Sequence, residues 1–141
     1  MMPCSIKEVK MKVISYQDVP LEDVNVEGAS LAQIRWLISQ KDNAPNFALR
    51  LFEVGVGGHT PYHSHDFEHE VFVLEGEGIF VVEGEDKPFK AWDVIYVDPN
   101  IEHQFKNTGT QILKFLCIIP HDKPKVKKAI NPFASGTANN C

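Results

Sequence analysis

From residue 31 to residue 120 this chain never runs far without a turn. Ile34-Arg35-Trp36-Leu37-Ile38 gives way to the loop-like stretch KDNAPN. Phe47 to Val54 ends at Gly55, with Gly57-Gly58 beyond. Glu70 to Leu74 meets Gly76-Glu77-Gly78, and Ile79 to Val82 meets Glu83-Gly84-Glu85-Asp86. Asp93 to Val97 and Gln104 to Lys106 flank Asp98-Pro99-Asn100, and Ile112 to Ile119 stops at Pro120. Short β-branched and aromatic runs, broken at roughly 8–12-residue spacing by turn formers, specify an all-β sandwich or barrel. No long apolar stripe of helical period competes, and there is no tandem repeat.

The bulk numbers fit that reading. A chain of 141 residues is most simply one domain and buries roughly 70% of its unfolded surface, so it needs no disulfide staple. The three cysteines, Cys4, Cys117 and Cys141, are far apart and odd in number, which is no disulfide framework. Cys117 lies in an apolar run and reads as a small buried hydrophobe. A net charge of −5 argues against a nucleic-acid partner, which would normally meet a basic face. The basic run Lys123-Pro124-Lys125-Val126-Lys127-Lys128 reads as a solvated tail. No stretch approaches the ~18 apolar residues of a membrane span, and the first residues lack the apolar core of a signal peptide. A cytoplasmic protein is the default expectation.

The expected layout is an N-terminal extension over 1–30, forming edge strands (Lys12 to Tyr16 carries a weak strand signal), a barrel over 31–120, and a polar tail over 121–141 rich in Pro, Asn, Ser and Gly.

Inside the barrel one stretch is chemically unusual. HSHDFEHEVFVLEG, residues 63–76, carries three of the six histidines directly before an apolar run. In a strand His63 and His65 share a face, and His69 shares one with Val71 and Val73, whereas Glu70 falls on the other side with Phe72 and Leu74. A barrel interior taking the first set has a metal at its mouth and aliphatic filling below. Neutral imidazole is the commonest biological metal ligand. The competing reading is a His-rich polar loop, which Asp66, Glu68 and Glu70 would suit. The apolar strand that follows speaks against it.

The spacing resembles a known family. Gly57, His63, His65, His69 and Gly76 resemble the first cupin motif, G(x)5HxH(x)3-4E(x)6G. Residues 98–107 resemble the second, G(x)5PxG(x)2H(x)3N, with His103 and Asn107 in the places of its His and Asn. The chain departs from the pattern at four points. His69 stands where the glutamate ligand is usual, Trp92 where the second motif begins with glycine, and Asn100 at the later glycine. The proline is shifted by one, to Pro99. Asn is well suited to a left-handed turn position.

This resemblance implies a double-stranded β-helix, the cupin jelly-roll barrel of two antiparallel sheets. It implies a four-histidine site for one divalent transition metal, held by His63, His65, His69 and His103 with Glu70 outside. Mn or Fe is favoured, with Ni, Cu or Zn also compatible with imidazole. Four neutral ligands leave the dipositive charge uncompensated, which favours an anionic partner such as an enolate or carboxylate. They leave two octahedral positions open, for a bidentate substrate or a substrate beside dioxygen.

The resulting expectation is an oxidoreductase of dioxygenase type acting on a small chelating anion. A non-catalytic ligand-binding or sensing cupin is the alternative, and a cupin isomerase or lyase the second. A structural or storage role needs no complete ligand set. A homodimer is also implied. Arg50 anchors an anionic substrate if its strand face is interior, and otherwise forms an outward ion pair. Tyr62 and His59 line the mouth or belong to the loop. Phe105, Phe115 and Cys117 form pocket wall or plain core. No Ser/His/Asp set and no phosphate loop is present, so any catalysis rests on the metal and its water.

Overall fold

The computed structural model describes residues 11–121. The expectations for Cys4, Cys141, the basic run and the tail fall outside them. Two short 3-10 turns, Tyr16–Asp18 and Gln40–Asp42, accompany nine strands: β1 Glu22–Asp23, β2 Ser30–Ile38, β3 Phe47–His59, β4 His69–Glu75, β5 Glu77–Val82, β6 Glu85–Lys90, β7 Val94–Val97, β8 His103–Asn107 and β9 Leu113–Pro120. There is no α-helix among the described residues. The all-β expectation holds.

All pairings are antiparallel. The ladder runs β6-β5-β8-β3-β9-β4-β7, with β2 beside β3 and β1 beside β2. The hinge of this curl is β3. Its first part, Phe47 to Val54, pairs with β9, and its last residue, His59, pairs with Lys106 of β8. His59, with Thr60 N–H donating to the Phe105 carbonyl just beyond it, joins β8 to the rest of the ladder. The run of glycines between these pairings lets the strand turn the corner. Gly58 is required there, because a Cβ would lie 2.5 Å from the Ser30 carbonyl oxygen and 2.7 Å from Leu31 Cβ.

Alternation builds the interior. Val71 and Val73 of β4, Phe105 of β8, and Leu113, Phe115 and Cys117 of β9 all bury their side chains in one core. Cross-strand partners meet there: Val71 faces Cys117, and Val73 faces Phe115. His69 and His103 occupy the same inward registers as these apolar residues. The fold thus places imidazole rings on a hydrophobic floor.

Three expectations need correction. The strand beginning at Phe47 does not end at Gly55 but runs to His59. Gly78 belongs to β5 rather than to a turn, and Gly76, at φ +90°, alone separates β4 from β5. The segment from Lys12 to Tyr16 is not a strand: Ser15 caps the turn Tyr16–Asp18, its hydroxyl accepting from Gln17 N–H. One strand has no apolar signal at all. β6 (EDKPFK) buries only Phe89 and carries Pro88, which an edge strand tolerates.

The motif departures keep the backbone of the glycines they replace. Trp92 sits at φ +79° and Asn100 at φ +67°. Trp92 N–H donates to the Val73 carbonyl at 2.8 Å, and its exposed ring meets Phe72 edge-on at 5.5 Å. Asn100 N–H donates to the His65 carbonyl at 2.7 Å. The second turn is thereby tied to the first histidine loop.

Candidate metal centre

Backbone hydrogen bonds bring the two histidine segments together. His63 N–H donates to the His103 carbonyl (3.1 Å) and His103 N–H to the His63 carbonyl (3.0 Å), an isolated two-residue bridge. Their ring centroids lie 5.1 Å apart. His63, His65 and His103 each offer a ring nitrogen, all within 4.8 Å of one another. His69 stands beside them, with its Nε2 2.8 Å from His65 Nε2. Its ring centroid is 5.2 Å from that of His103.

The outer nitrogens decide which atoms are free. A carbonyl oxygen can only accept. His65 Nδ1 therefore donates to the Phe67 carbonyl (3.0 Å) and His103 Nδ1 to the Ile101 carbonyl (2.8 Å). Each of these rings keeps its Nε2 lone pair for the centre, which is the arrangement metal-binding imidazoles use. His69 Nδ1 lies 3.2 Å from Cys117 Sγ and 3.5 Å from Arg50 Nη2. Arg50 Nη2 also donates to Cys117 Sγ at 2.9 Å.

Burial and mutual repulsion favour the neutral form of His63, His69 and His103. Burial, followed by the charges of His103 and His65, lowers the His63 pKa from its ordinary 6.5 to about 4. Burial and then the Arg50 charge lower His69 to about 2. Burial also lowers His103. Neutral imidazoles with converging lone pairs fit a divalent cation, and the donor set suits borderline transition ions. His63, His65 and His103 would hold it, and His69 stands beside them. Glu70 is exposed on the opposite face of β4, so its carboxylate points away.

These shifts have a thermodynamic sign. The folded-state values lie below the unfolded value, so the unfolded chain takes up protons first as pH falls. In metal-free protein the stability contributed by His63 should therefore be intact above pH 6.5 and fall progressively toward pH 4. Thermal melts in chelator across that range test this, and a His69→Leu variant should lose less over the same interval.

The other anticipated pocket residues divide. Arg50, Phe105, Phe115 and Cys117 line a cavity of about 360 Å3 that opens onto the histidines. Arg50 is interior: its guanidinium lies 5.5 Å from the Trp36 ring and 5.0 Å from the Phe52 ring. Its Nε is buried without a partner. Tyr62 does not join them. It is exposed and lies outside the lining residues. His59 is held elsewhere, its Nδ1 near the Thr60 carbonyl and the Gln104 side chain.

Several lining residues were not anticipated, Phe67 and Trp36 among them. Phe67 stacks on His65 at 4.1 Å, and Trp36 shares the inward face of β2 with Ile34. The i, i+2 spacing of Ile34 and Trp36 carried the signal for the second. Asn107, matched to the second motif, is structural. Its side chain donates to the carbonyls of Val54 and Gln111 and accepts from Gly109 N–H, each at 2.9 Å. Asn107→Ala should cost about 2–4 kcal/mol in chemical denaturation, since three bonds and buried acceptors are lost. The refolded variant should still retain metal.

A curled antiparallel barrel with histidines at its mouth defines a class before any comparison. The family model described as a cupin domain matches residues 50–119. The polyketide cyclase RemF of Streptomyces resistomycificus superposes with a TM-score of 0.77 at 33% identity, covering 86% of this chain and 87% of that one. This chain belongs to the cupin family. An oxalate-binding protein of Thermotoga maritima is 41% identical over 64 residues, 45% of this chain and 53% of that protein. A 1-methylthio-D-xylulose 5-phosphate methylsulfurylase of Rhodospirillum rubrum is 34% identical over 80 residues, 55% of this chain and 51% of that protein. The chain spans about half the length of the curated relatives it matches. No described helix is long and apolar enough to cross a membrane.

Proposed function

We propose that this protein is a metal-dependent cupin enzyme whose substrate is an enolisable or otherwise chelating anion. One observation carries the reading: converging imidazole nitrogens lie next to Arg50, a guanidinium with a buried, unpartnered Nε. A divalent ion held by His63, His65, His69 and His103, with Mn or Fe favoured, would supply Lewis acidity toward an enol or carboxylate oxygen.

The chain's own residues do the rest. Arg50 faces the anionic oxygen, and Cys117 accepts from Arg50 and stands against His69 Nδ1. This fixes the guanidinium relative to the ligand ring. Phe105 and Phe115 exclude water below. A dioxygenase-type oxidation is the first reaction proposed. The likeness to a polyketide cyclase, at 33% identity over most of both chains, supports a second: the same activated enol closing a ring without oxygen consumption.

Oxygen uptake by metal-loaded protein against diketones, catechols and enediols separates the two. Uptake that requires metal supports the oxygenase. An absorbance change without uptake supports the second reading. Tight binding without turnover sinks both and leaves a ligand-binding cupin. The layout proposed with this function is an extension over 1–30, a barrel over 31–120 and a tail over 121–141. A homodimer, testable by sedimentation, goes with it.

A further inference from the structure

The cavity above the histidines is far larger than the chelating end of a ligand requires. At about 360 Å3 it falls in the range that encloses most of a drug-sized molecule. Its wall is aromatic, with Trp36, Phe52, Phe67, Phe105 and Phe115 all lining it. Rings of this kind favour flat ligands stacked or edge-on against them.

Charge of both signs lines the cavity. Arg50 sits beside the histidines, and among the described residues no carboxylate forms an ion pair with it. A partly buried guanidinium flanked by rings and lacking an anion is poised to receive one. Toward solvent the lining includes Glu22 and Asp23, both exposed. Asp23 accepts from the Gln33 side chain at 3.1 Å. Asp23 is thus engaged on the Gln33 side of β1, and Glu22, paired with the lining residue Ile34, is the carboxylate that disfavours a second negative group and accepts hydrogen bonds from hydroxyl or amino groups.

Resting on the chelating-centre reading above, we propose that the site takes a planar aromatic oxyanion of at least two fused rings. Its chelating oxygens lie at the histidines and Arg50, its rings along the aromatic wall, and its uncharged or hydrogen-bond-donating edge toward Glu22. A two-carbon dicarboxylate would use none of that wall and would leave most of the cavity to water. The wall rewards added rings instead. Burying a further fused ring removes roughly 60 Å2 of apolar surface from water and should tighten binding about tenfold.

Calorimetric titration of the full chain, metal-loaded and chelator-treated, tests this with three probes. 1-Hydroxy-2-naphthoate and salicylate carry the same phenol–carboxylate pair on two rings and one, and oxalate carries carboxylates alone. The expected order is naphthoate tighter than salicylate by about tenfold, with oxalate weakest. Trp36→Ala, at a residue already 38% exposed and so tolerated by the fold, should shrink the naphthoate–salicylate gap. It should move oxalate less. Oxalate binding as tightly as the naphthoate, or a naphthoate no tighter than salicylate, overturns the fused-ring proposal and leaves the chelating centre standing. Equal naphthoate affinity with and without metal overturns the centre itself, and the proposed orientation with it.

Discussion

His69→Ala is expected to cost the protein its metal, and Glu70→Ala is not. Elemental analysis of both variants, purified without added metal, checks this. Competition with a chelator should show affinity reduced by about 100-fold or more for the first, at least the upper range seen when only an outer partner of a ligand is removed. The second should stay near the parent. His69 is buried on the inner face, whereas its neighbour is exposed on the outer one. The distance of 2.8 Å between His69 Nε2 and His65 Nε2 is also informative. Two bare lone pairs at that range repel, so the contact needs a shared proton or a cation. Ligands at right angles on a metal–nitrogen bond of about 2.0–2.1 Å stand about 2.9 Å apart, which matches. Metal lost from Glu70→Ala but kept in His69→Ala would reverse the ligand assignment.

Gly78→Ala should be the most damaging single methyl in the barrel. Gly78 is buried in β5 opposite Asn107 of β8. A Cβ there would lie directly against the Lys106 carbonyl oxygen and 2.9 Å from the Phe89 ring. Backbone cannot step aside as a flexible side chain can. Overpacking of this kind costs about 3 kcal/mol, or roughly 10 °C in Tm for a chain of this size. β8 also carries His103, so metal affinity should fall in the same variant. Denaturation and metal titration together test it, and an unchanged Tm would show that the β5–β8 contact is softer than described.

Much of this arrangement was legible in the residues. Period-two alternation placed His69 with Val71 and Val73, and the structure buries all three. The resemblance to the two cupin motifs put His103 with His63 and His65, and the structure brings ring nitrogens of all three within 4.8 Å of one another. What escaped notice depends on pairing and stacking partners rather than on a residue's own character. β6 is polar and exists because β5 supplies a complete set of pairing positions from Glu77 to Val82. The continuation of β3 through its glycines requires β8, a strand some 45 residues further on, as a new neighbour. Phe67 looks like a loop residue until His65 gives it a ring to stack on. Trp92 at a positive φ offered no local sign at all, since tryptophan has no preference for that region.

Arg50 and His69 are near neighbours, with 3.5 Å between Nη2 and Nδ1, and that proximity makes the two halves of the site thermodynamically linked. A cation on the imidazoles raises the positive potential at the guanidinium, and an anion drawn there lowers the cost of holding the cation. Each partner must therefore tighten the other by the same factor. Saturating ligand should slow metal loss to a chelator, and metal should raise ligand affinity in equal measure. This protein would then hold its ion most firmly while occupied and surrender it most readily when empty.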